Sequence, residues 1–244
     1  ELFISTKAGH DMWPGPYGNW GSRKSLMASL DQSLVRMGLD YVDVFYSHRY
    51  DPETPLEETM QALVDIVRQG KALYVGLSKY PAGKAEEAYR YLEARDVHCL
   101  LYQGRYNLFD RAPEEEGILG QARAYGVGFI AFSPLAQGLL TSRYLQGVPE
   151  DSRMAQGRFL KREVLTEAVL GKIKALDRVA ADRGQTLAEM SLAWVLKDEL
   201  VTSVIIGASS VAQLEDNLKA LRKVDFSKEE LDRIEAICHT PDGG

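Results

Sequence analysis

Six short runs of apolar and β-branched residues recur along the chain, with one long gap before the last. They are LFIST (2–6), VDVFYS (42–47), ALYVGLS (72–78), HCLLYQ (98–103), GFIAFSP (128–134) and TSVIIGAS (202–209). The runs are nearly continuous in apolar residues instead of alternating with polar ones. This pattern predicts strands of a parallel sheet that helices cover on both faces.

Amphipathic stretches with helical spacing separate these runs. Helices are predicted over residues 22–38, 54–70, 81–95, 113–126, 166–183, 186–198 and 211–222. Gly38 and Gly70 are predicted to end the first two helices, because glycine readily adopts the left-handed conformation of a helix C-terminus. Thr54 is predicted to cap the second helix, with Pro55 at its first helical position.

Strands that alternate with helices form either an open doubly wound sheet or a (β/α) barrel. A barrel needs eight βα units, and six are visible here. We therefore predict a (β/α)8 TIM barrel of which this chain carries the last six βα units, and we expect two further units before Glu1. Residues 1–244 are predicted to form one domain, in which residues 136–165 are a single long loop.

Composition and charge narrow the classes of partner. The chain has 244 residues, of which 45% are hydrophobic, and its net charge is −6. This acidic balance argues against binding to nucleic acid or to an anionic membrane surface. No stretch approaches the roughly 20 apolar residues of a membrane span. Cys99 and Cys238 lack metal-ligand spacing, so no metal site is expected.

The ends of the apolar runs carry the candidate chemistry, because ligands of such folds bind at the carboxyl ends of the strands. The polar and small residues at these ends are Lys7, His48, Ser78, Gln103, Ser133 and the turn of Gly207, Ala208 and Ser209. Lys7 is either a solvated lysine or a group that alters its neighbours or forms a Schiff base. His48 is either structural or a hydrogen-bond donor and proton carrier.

Two loops suggest ligand contacts. The turn after the last run opens a helix and could bind an anion, although Ser209 or Ser210 could equally be an ordinary N-cap. Neither GxGxxG nor GxxxxGK[ST] is present, so a Rossmann or P-loop nucleotide site is excluded. The loop at 10–21 contains Trp13, Tyr17 and Trp20. It is either a wall of the substrate site or a loop packed upon itself.

Five passages together resemble the aldo-keto reductase family, in the branch of glyceraldehyde 3-phosphate reductases and potassium-channel β subunits. They are ISTKAG, SLDQSLVRMGLDYVDVFYSHRYDPETPLEET, GKALYVGLS, AFSPLAQGLLTSRYLQGVPEDSR and SVIIGASSVAQLEDNL. The resemblance implies a metal-free (β/α)8 barrel that binds NADP as NADPH, or less often NADH. It also implies that Lys7 and His48 are catalytic. The family's catalytic aspartate and tyrosine belong to a strand before ISTKAG, outside this sequence.

The resemblance further implies a set of cofactor contacts. Ser78 and Gln103 would bind the nicotinamide carboxamide, and Phe132 would stack on the nicotinamide ring. The pyrophosphate would lie along Ser133, Leu135, Gly138 and Leu140, and the adenosine end would contact Arg153, Gly207, Ser209, Gln213, Asp216 and Asn217. Arg153 opposite a 2′-phosphate would favour NADPH, because a guanidinium pairs with phosphate through two hydrogen bonds. Lys79 stands where many relatives have asparagine.

By this resemblance, the expected activity is the NADPH-dependent reduction of small aldehydes or ketones to alcohols. Glyceraldehyde 3-phosphate and methylglyoxal are candidate substrates, and a cytoplasmic homo-oligomer is expected. One alternative is a non-catalytic cofactor-binding subunit, although the channel-associated relatives tend to replace the histidine by asparagine. The other is a lyase or aldolase that uses Lys7 as a Schiff base.

Overall fold

A computed structural model of the protein describes residues 2–145 and 162–239. Within these ranges, strands alternate with helices. The strands are β1 (Ser5–Ala8), β2 (Val42–Ser47), β3 (Ala72–Ser78), β4 (Cys99–Arg105), β5 (Gly128–Phe132) and β6 (Ser203–Ile205). The helices are α1 (Arg23–Met37), α2 (Leu56–Arg68), α3 (Ala82–Glu93), α4 (Ala112–Glu115), α5 (Ile118–Ala124), α6 (Glu167–Asp182), α7 (Leu187–Val195), α8 (Val211–Leu218) and α9 (Lys228–Cys238).

Each strand lies in the sheet beside the strand that precedes it in the chain. The pairs β1–β2, β2–β3 and β3–β4 are parallel. In this register Lys7 of β1 lies opposite Tyr46 of β2, and Ser78 of β3 lies opposite Gln103 of β4. The architecture is that of a partial (β/α)8 barrel, which confirms the predicted fold class.

The described chain forms two compact units. The first comprises the residues up to Gly104 together with Pro113–Ile130, and the second comprises Arg105–Ala112 and the chain from Ala131 onward. The first unit contains β1 to β4 almost entirely, along with helices α1 to α3. The second contains β6 and helices α6 to α9.

Two glycines make room for aromatic rings in the interior of the first unit. A Cβ atom at Gly76 in β3 would overlap the ring of Tyr46, and one at Gly104 in β4 would lie 2.7 Å from Cζ of Phe129. Tyr46 belongs to a buried apolar cluster with Val44 and Leu101. The glycines are therefore needed for close packing on neighbouring strands, whatever their backbone conformation.

Several predicted boundaries were wrong by a few residues. The first strand begins at Ser5 instead of Leu2. Helix α2 is capped by Pro55 and not by Thr54, and no side chain donates or accepts at this cap. Gly38 has the predicted left-handed conformation at the end of α1, with φ of 65°. Gly70, with φ of 71°, lies one residue beyond the C-cap of α2.

Two larger features also differ from the prediction. The helix expected over residues 113–126 is divided into α4 and α5, because Gly117 adopts a left-handed φ of 75° between them. Helix α9 was missed. Its start has a capping box in which Ser227 accepts from the backbone of Glu230 and the Glu230 side chain accepts from the backbone of Ser227. The S-x-x-E pattern at 227–230 is the signal that would have identified this helix.

Candidate active site

Lys7 lies in β1 and points its ammonium group toward β4. Its Nζ atom donates a 2.6 Å hydrogen bond to Oε1 of Gln103 and lies 5.9 Å from the centroid of the Tyr46 ring. Partial burial lowers the pKa of Lys7, and the nearby charge of Lys79 lowers it further. Lys7 is therefore held inside a polar site instead of extending into solvent.

His48 directly follows β2, and its backbone N–H donates to the carbonyl of Ala8 at 2.9 Å. Its ring meets the ring of His10 edge to face, with 4.4 Å between centroids. Burial lowers the pKa of His48 to about 4, with further contributions from His10, Lys7, Lys79 and Arg49. The imidazole is consequently neutral near pH 7, so it can donate one hydrogen bond without carrying a charge.

Ser78 and Gln103 come together at the carboxyl ends of β3 and β4, as the register requires. Both side chains are buried, and the exposed fraction of Ser78 is 1%. Within the described part of the chain, the Ser78 hydroxyl has no hydrogen-bond partner. A buried hydroxyl without a partner is costly. The pair therefore fits the carboxamide of a nicotinamide, which presents both a donor and an acceptor.

The aromatic loop is attached to the residue after His48. Arg49 donates through Nε to the carbonyl of Gly9 at 2.7 Å and through NH2 to Oδ1 of Asn19 at 2.8 Å. Its guanidinium also lies 3.6 Å from the centroid of the Trp20 ring. Both ends of the loop are therefore fixed to the strand end that carries His48.

The other loop aromatics are less enclosed. The Tyr17 side chain is 45% exposed, and the ammonium of Lys24 lies 4.4 Å from its ring centroid. Trp13 is partly buried, and its segment turns back on Gly18, whose carbonyl accepts from Met12 at 2.7 Å. Trp20 thus contacts the strand end that carries His48, and the substrate roles of Trp13, Tyr17 and Trp20 all stay predictions.

In the second unit, the residues predicted for the nicotinamide ring and pyrophosphate follow one another at the end of β5. Phe132 ends the strand, and the guanidinium of Arg105 lies 5.8 Å from its ring centroid. Ser133 has a left-handed φ of 54°, and its carbonyl accepts from the Asn107 side chain at 3.0 Å. The remaining members, on and beside the short 3₁₀ turn that follows, are Leu135, Gly138 and Leu140.

The residues predicted for the adenosine end lie around the start of α8. Ser210 is the N-cap, since its side chain accepts from the backbone of Gln213, which settles the choice between Ser209 and Ser210. Ser209 donates through its backbone and hydroxyl to Oε1 of Gln213. Asn217 is buried, and its Nδ2 atom has no partner among the described residues. Gly207 and Asp216 are exposed, and Arg153 lies outside the described residues.

Three basic residues of the first unit were not assigned a role from the sequence: His10, Arg49 and Lys79. Each follows the end of a strand by one or two residues, and position at a strand end is the signal that pointed to His48 and Ser78. Lys79 has a left-handed φ of 53°. Asparagine tolerates that conformation better than lysine, which gives a physical reason for the asparagine expected at this position.

The described residues also bear on whether the protein has a membrane span or a metal site. They contain no helix with the length and apolar character of a membrane span. They also contain no cluster of three histidine, cysteine or acidic side chains arranged to hold a metal ion.

Comparison with known proteins agrees with this fold. Residues 1–239 match the model of the aldo/keto reductase family. The chain is 53% identical over 247 residues to the L-glyceraldehyde 3-phosphate reductase of Escherichia coli strain K12, covering 100% of this chain and 71% of that protein. It is 37% identical to a probable voltage-gated potassium channel subunit beta of Oryza sativa subsp. japonica, covering 98% of this chain and 74% of that one.

A barrel with a lysine and a histidine at neighbouring strand ends, together with these matches, defines the class of protein as an oxidoreductase. The chain belongs to the aldo/keto reductase family.

Proposed function

We propose that the protein reduces small aldehydes and ketones to alcohols with NADPH, using Lys7 and His48. The observation that supports this proposal is that the first unit holds two polar groups of different chemistry at neighbouring strand ends. One is an ammonium that Gln103 holds at 2.6 Å. The other is an imidazole whose pKa burial lowers to about 4.

His48 orients and polarises the substrate carbonyl. A neutral imidazole donates one hydrogen bond to the carbonyl oxygen, and that bond strengthens as negative charge develops on the oxygen. The lowered pKa keeps His48 in this form over the neutral pH range. Its contact with His10 and the hydrogen bond from its backbone to Ala8 restrict where the ring points.

Lys7 supports the group that delivers a proton to the developing alkoxide. An ammonium lowers the pKa of a neighbouring phenol and so makes it a better donor near neutral pH. Tyr46, near Lys7, is unsuited to this role because burial raises its pKa far above the ordinary value. By the family resemblance, the proton donor is the family's catalytic tyrosine.

The cofactor contacts are proposed from the family resemblance, separately for each unit. NADPH, when bound, supplies the hydride. In the first unit, Ser78 and Gln103 hold the carboxamide, and the unpartnered Ser78 hydroxyl supports this role. In the second unit, Phe132 stacks on the nicotinamide ring. The residues that follow it, from Ser133 to Leu140, hold the pyrophosphate, and the residues around the start of α8 hold the adenosine. Arg153 gives the preference for NADPH over NADH.

Glyceraldehyde 3-phosphate and methylglyoxal are the proposed substrates, since one relative is named for reduction of the former. Trp13, Tyr17 and Trp20 form the wall that limits substrate size. We expect the protein to act in the cytoplasm as a homo-oligomer.

The test is NADPH oxidation by the full-length protein with each aldehyde. We expect His48→Ala to lower kcat/KM by a factor of about 100 or more, the usual scale for a positioned polar group. The matched control is His98→Ala, at an exposed position before β4. If His48→Ala leaves the rate unchanged, the assigned role is wrong. NADPH binding without turnover of any aldehyde would instead favour a regulatory subunit, and borohydride trapping of substrate on Lys7 would favour a lyase.

A further inference from the structure

Five basic side chains converge at the carboxyl ends of β1, β2 and β3 in the first unit. They are Lys7, His10, His48, Arg49 and Lys79. The reductase chemistry proposed above uses two of them, Lys7 and His48. One acidic side chain, the exposed Asp11, opposes their effect on His10, because its charge raises the pKa of that imidazole.

These groups act on one another through their charges. Burial lowers the pKa of His10, and Arg49, Lys79 and Lys7 lower it further, against the opposing effect of Asp11. Burial and four of these neighbours also lower the pKa of His48. Gathering like charges destabilises a folded protein unless something else recovers that free energy. An anion bound among these groups would recover it.

Contacts with neighbouring residues give Arg49 a structural role, but they give no such role to the imidazole nitrogens of His10. Arg49 holds the aromatic loop through Gly9, Asn19 and Trp20. His10 has the edge-to-face contact with the His48 ring, and no hydrogen bond to its imidazole is found among the described residues. His10 is partly exposed, beside the histidine that is proposed to hold the carbonyl.

We propose that His10 binds an anionic group, phosphate or carboxylate, carried by the carbonyl substrate a few bonds from the reacting carbon. This inference rests on the proposed function, because it assumes that His48 holds the carbonyl oxygen. The imidazole of His10 donates a hydrogen bond to the anion, while Lys79 and Lys7 contribute attraction through their charges. An aldehyde with a short anionic tail is therefore preferred to its neutral counterpart.

Proton uptake accompanies this binding. A bound anion favours the imidazolium form of His10, whereas burial and the charges of Arg49, Lys79 and Lys7 oppose it in the free protein. Anion affinity therefore increases as the pH falls from neutral toward the lowered pKa of His10 in the free protein.

Kinetics with matched aldehydes test the specificity. In full-length protein saturated with NADPH, kcat/KM is compared for glyceraldehyde 3-phosphate, glyceraldehyde and the carboxylate-bearing aldehyde glyoxylate. His10→Gln is expected to lower kcat/KM for the anionic aldehydes by about tenfold, the usual scale for one charge-assisted hydrogen bond. The loss for glyceraldehyde is expected to be about tenfold smaller, because only the contact of His10 with the His48 ring is removed there, and His10→Lys is expected to keep the preference. A preference confined to glyceraldehyde 3-phosphate or to glyoxylate identifies the anion.

A binding measurement separates this inference from the proposed function. Sulfate, whose charge is constant between pH 6 and 8, is titrated into protein saturated with NADP⁺, so that the cofactor's own phosphate sites are occupied. We expect sulfate to raise the pKa of His10, seen in its imidazole NMR resonances, and to bind more tightly at pH 6 than at pH 8. His10→Gln should abolish this pH dependence, and the control His98→Gln should keep it.

Failure of this inference and failure of the proposed function would give different experimental results. If aldehydes are reduced but His10→Gln affects neutral and anionic aldehydes equally, the inference is overturned and the proposed function stands. The inference is also overturned if sulfate affects His10 no more than chloride at equal ionic strength. If no aldehyde is reduced while sulfate still raises the His10 pKa, the anion site stands and the reductase proposal fails.

Discussion

The ammonium of Lys7 and the amide oxygen of Gln103 are 2.6 Å apart, although 96 residues separate them in the sequence. They lie on β1 and β4, with β2 and β3 between them. Adjacent strands are ~4.8 Å apart, so three intervals in a flat sheet would separate these two strands by ~14 Å. The side chains meet because the first unit curls its sheet, as a barrel requires.

Gln103→Leu should weaken both stability and activity. The variant removes the acceptor for a partly buried ammonium, and a hydrogen bond to a charged group contributes about 1.5 to 3 kcal/mol. We expect the free energy of unfolding in urea to fall by that order and kcat to fall with it. Gln103→Glu keeps an acceptor at the same place and should retain most of the stability. Equal losses in both variants would contradict the importance of this contact.

Stability should depend on pH through His48. The folded protein keeps this imidazole neutral down to about pH 4, whereas an unfolded histidine binds a proton near pH 6.5. Between these values the unfolded chain binds more protons than the folded protein. The contribution of His48 to the free energy of unfolding is therefore complete above about pH 6.5 and decreases as the pH falls toward 4.

The measurement for His48 is urea denaturation at several pH values between 7 and 4.5. His48→Asn should reduce the pH dependence over this window, because asparagine does not titrate. His98→Asn is the matched control and should leave the profile close to that of the unchanged protein. A profile that His48→Asn does not alter would show that the lowered pKa contributes nothing to stability.

Gly76→Ala should strongly destabilise the first unit. An added methyl group would overlap the Tyr46 ring, which is packed in the cluster with Val44 and Leu101. Overpacking of a close-packed interior costs about 1 to 3 kcal/mol. Gly83→Ala in α3 is the control, because nothing lies within 4 Å of its added Cβ. Thermal unfolding should show opposite shifts, since alanine favours a helix by up to about 1 kcal/mol over glycine.

Lys79→Asn should raise the pKa values of Lys7, His10 and His48, because the charge of Lys79 lowers all three. Asparagine is the suitable replacement because φ is 53° at this position. NMR titration of the imidazole resonances provides the measurement, with the pKa of His48 expected to move from about 4 toward its ordinary value. Lys84→Asn is the control, because the Lys84 side chain in α3 is partly exposed and pairs with Glu87, and it should leave the pKa values of both imidazoles unchanged.

Sequence patterns were most informative where the cause is local. The runs at 42–47 and 72–78 coincide with β2 and β3, because apolar continuity is a property of neighbouring residues. The same patterns placed polar groups at strand ends, including Lys7 and His48. Helix ends were predicted less accurately. One predicted helix is divided at Gly117, and the start of α9 was missed.

The sequence by itself determined the order of strands and helices, the fold class and the polar strand ends, because alternation and capping are encoded over a few residues. Only the tertiary structure decided which of these ends meet. The curl of the sheet joins Lys7 to Gln103, and the approach of two strand ends sets His10 against His48. Such contacts depend on packing between distant segments and on burial, which also sets the pKa values, and no local pattern specifies either.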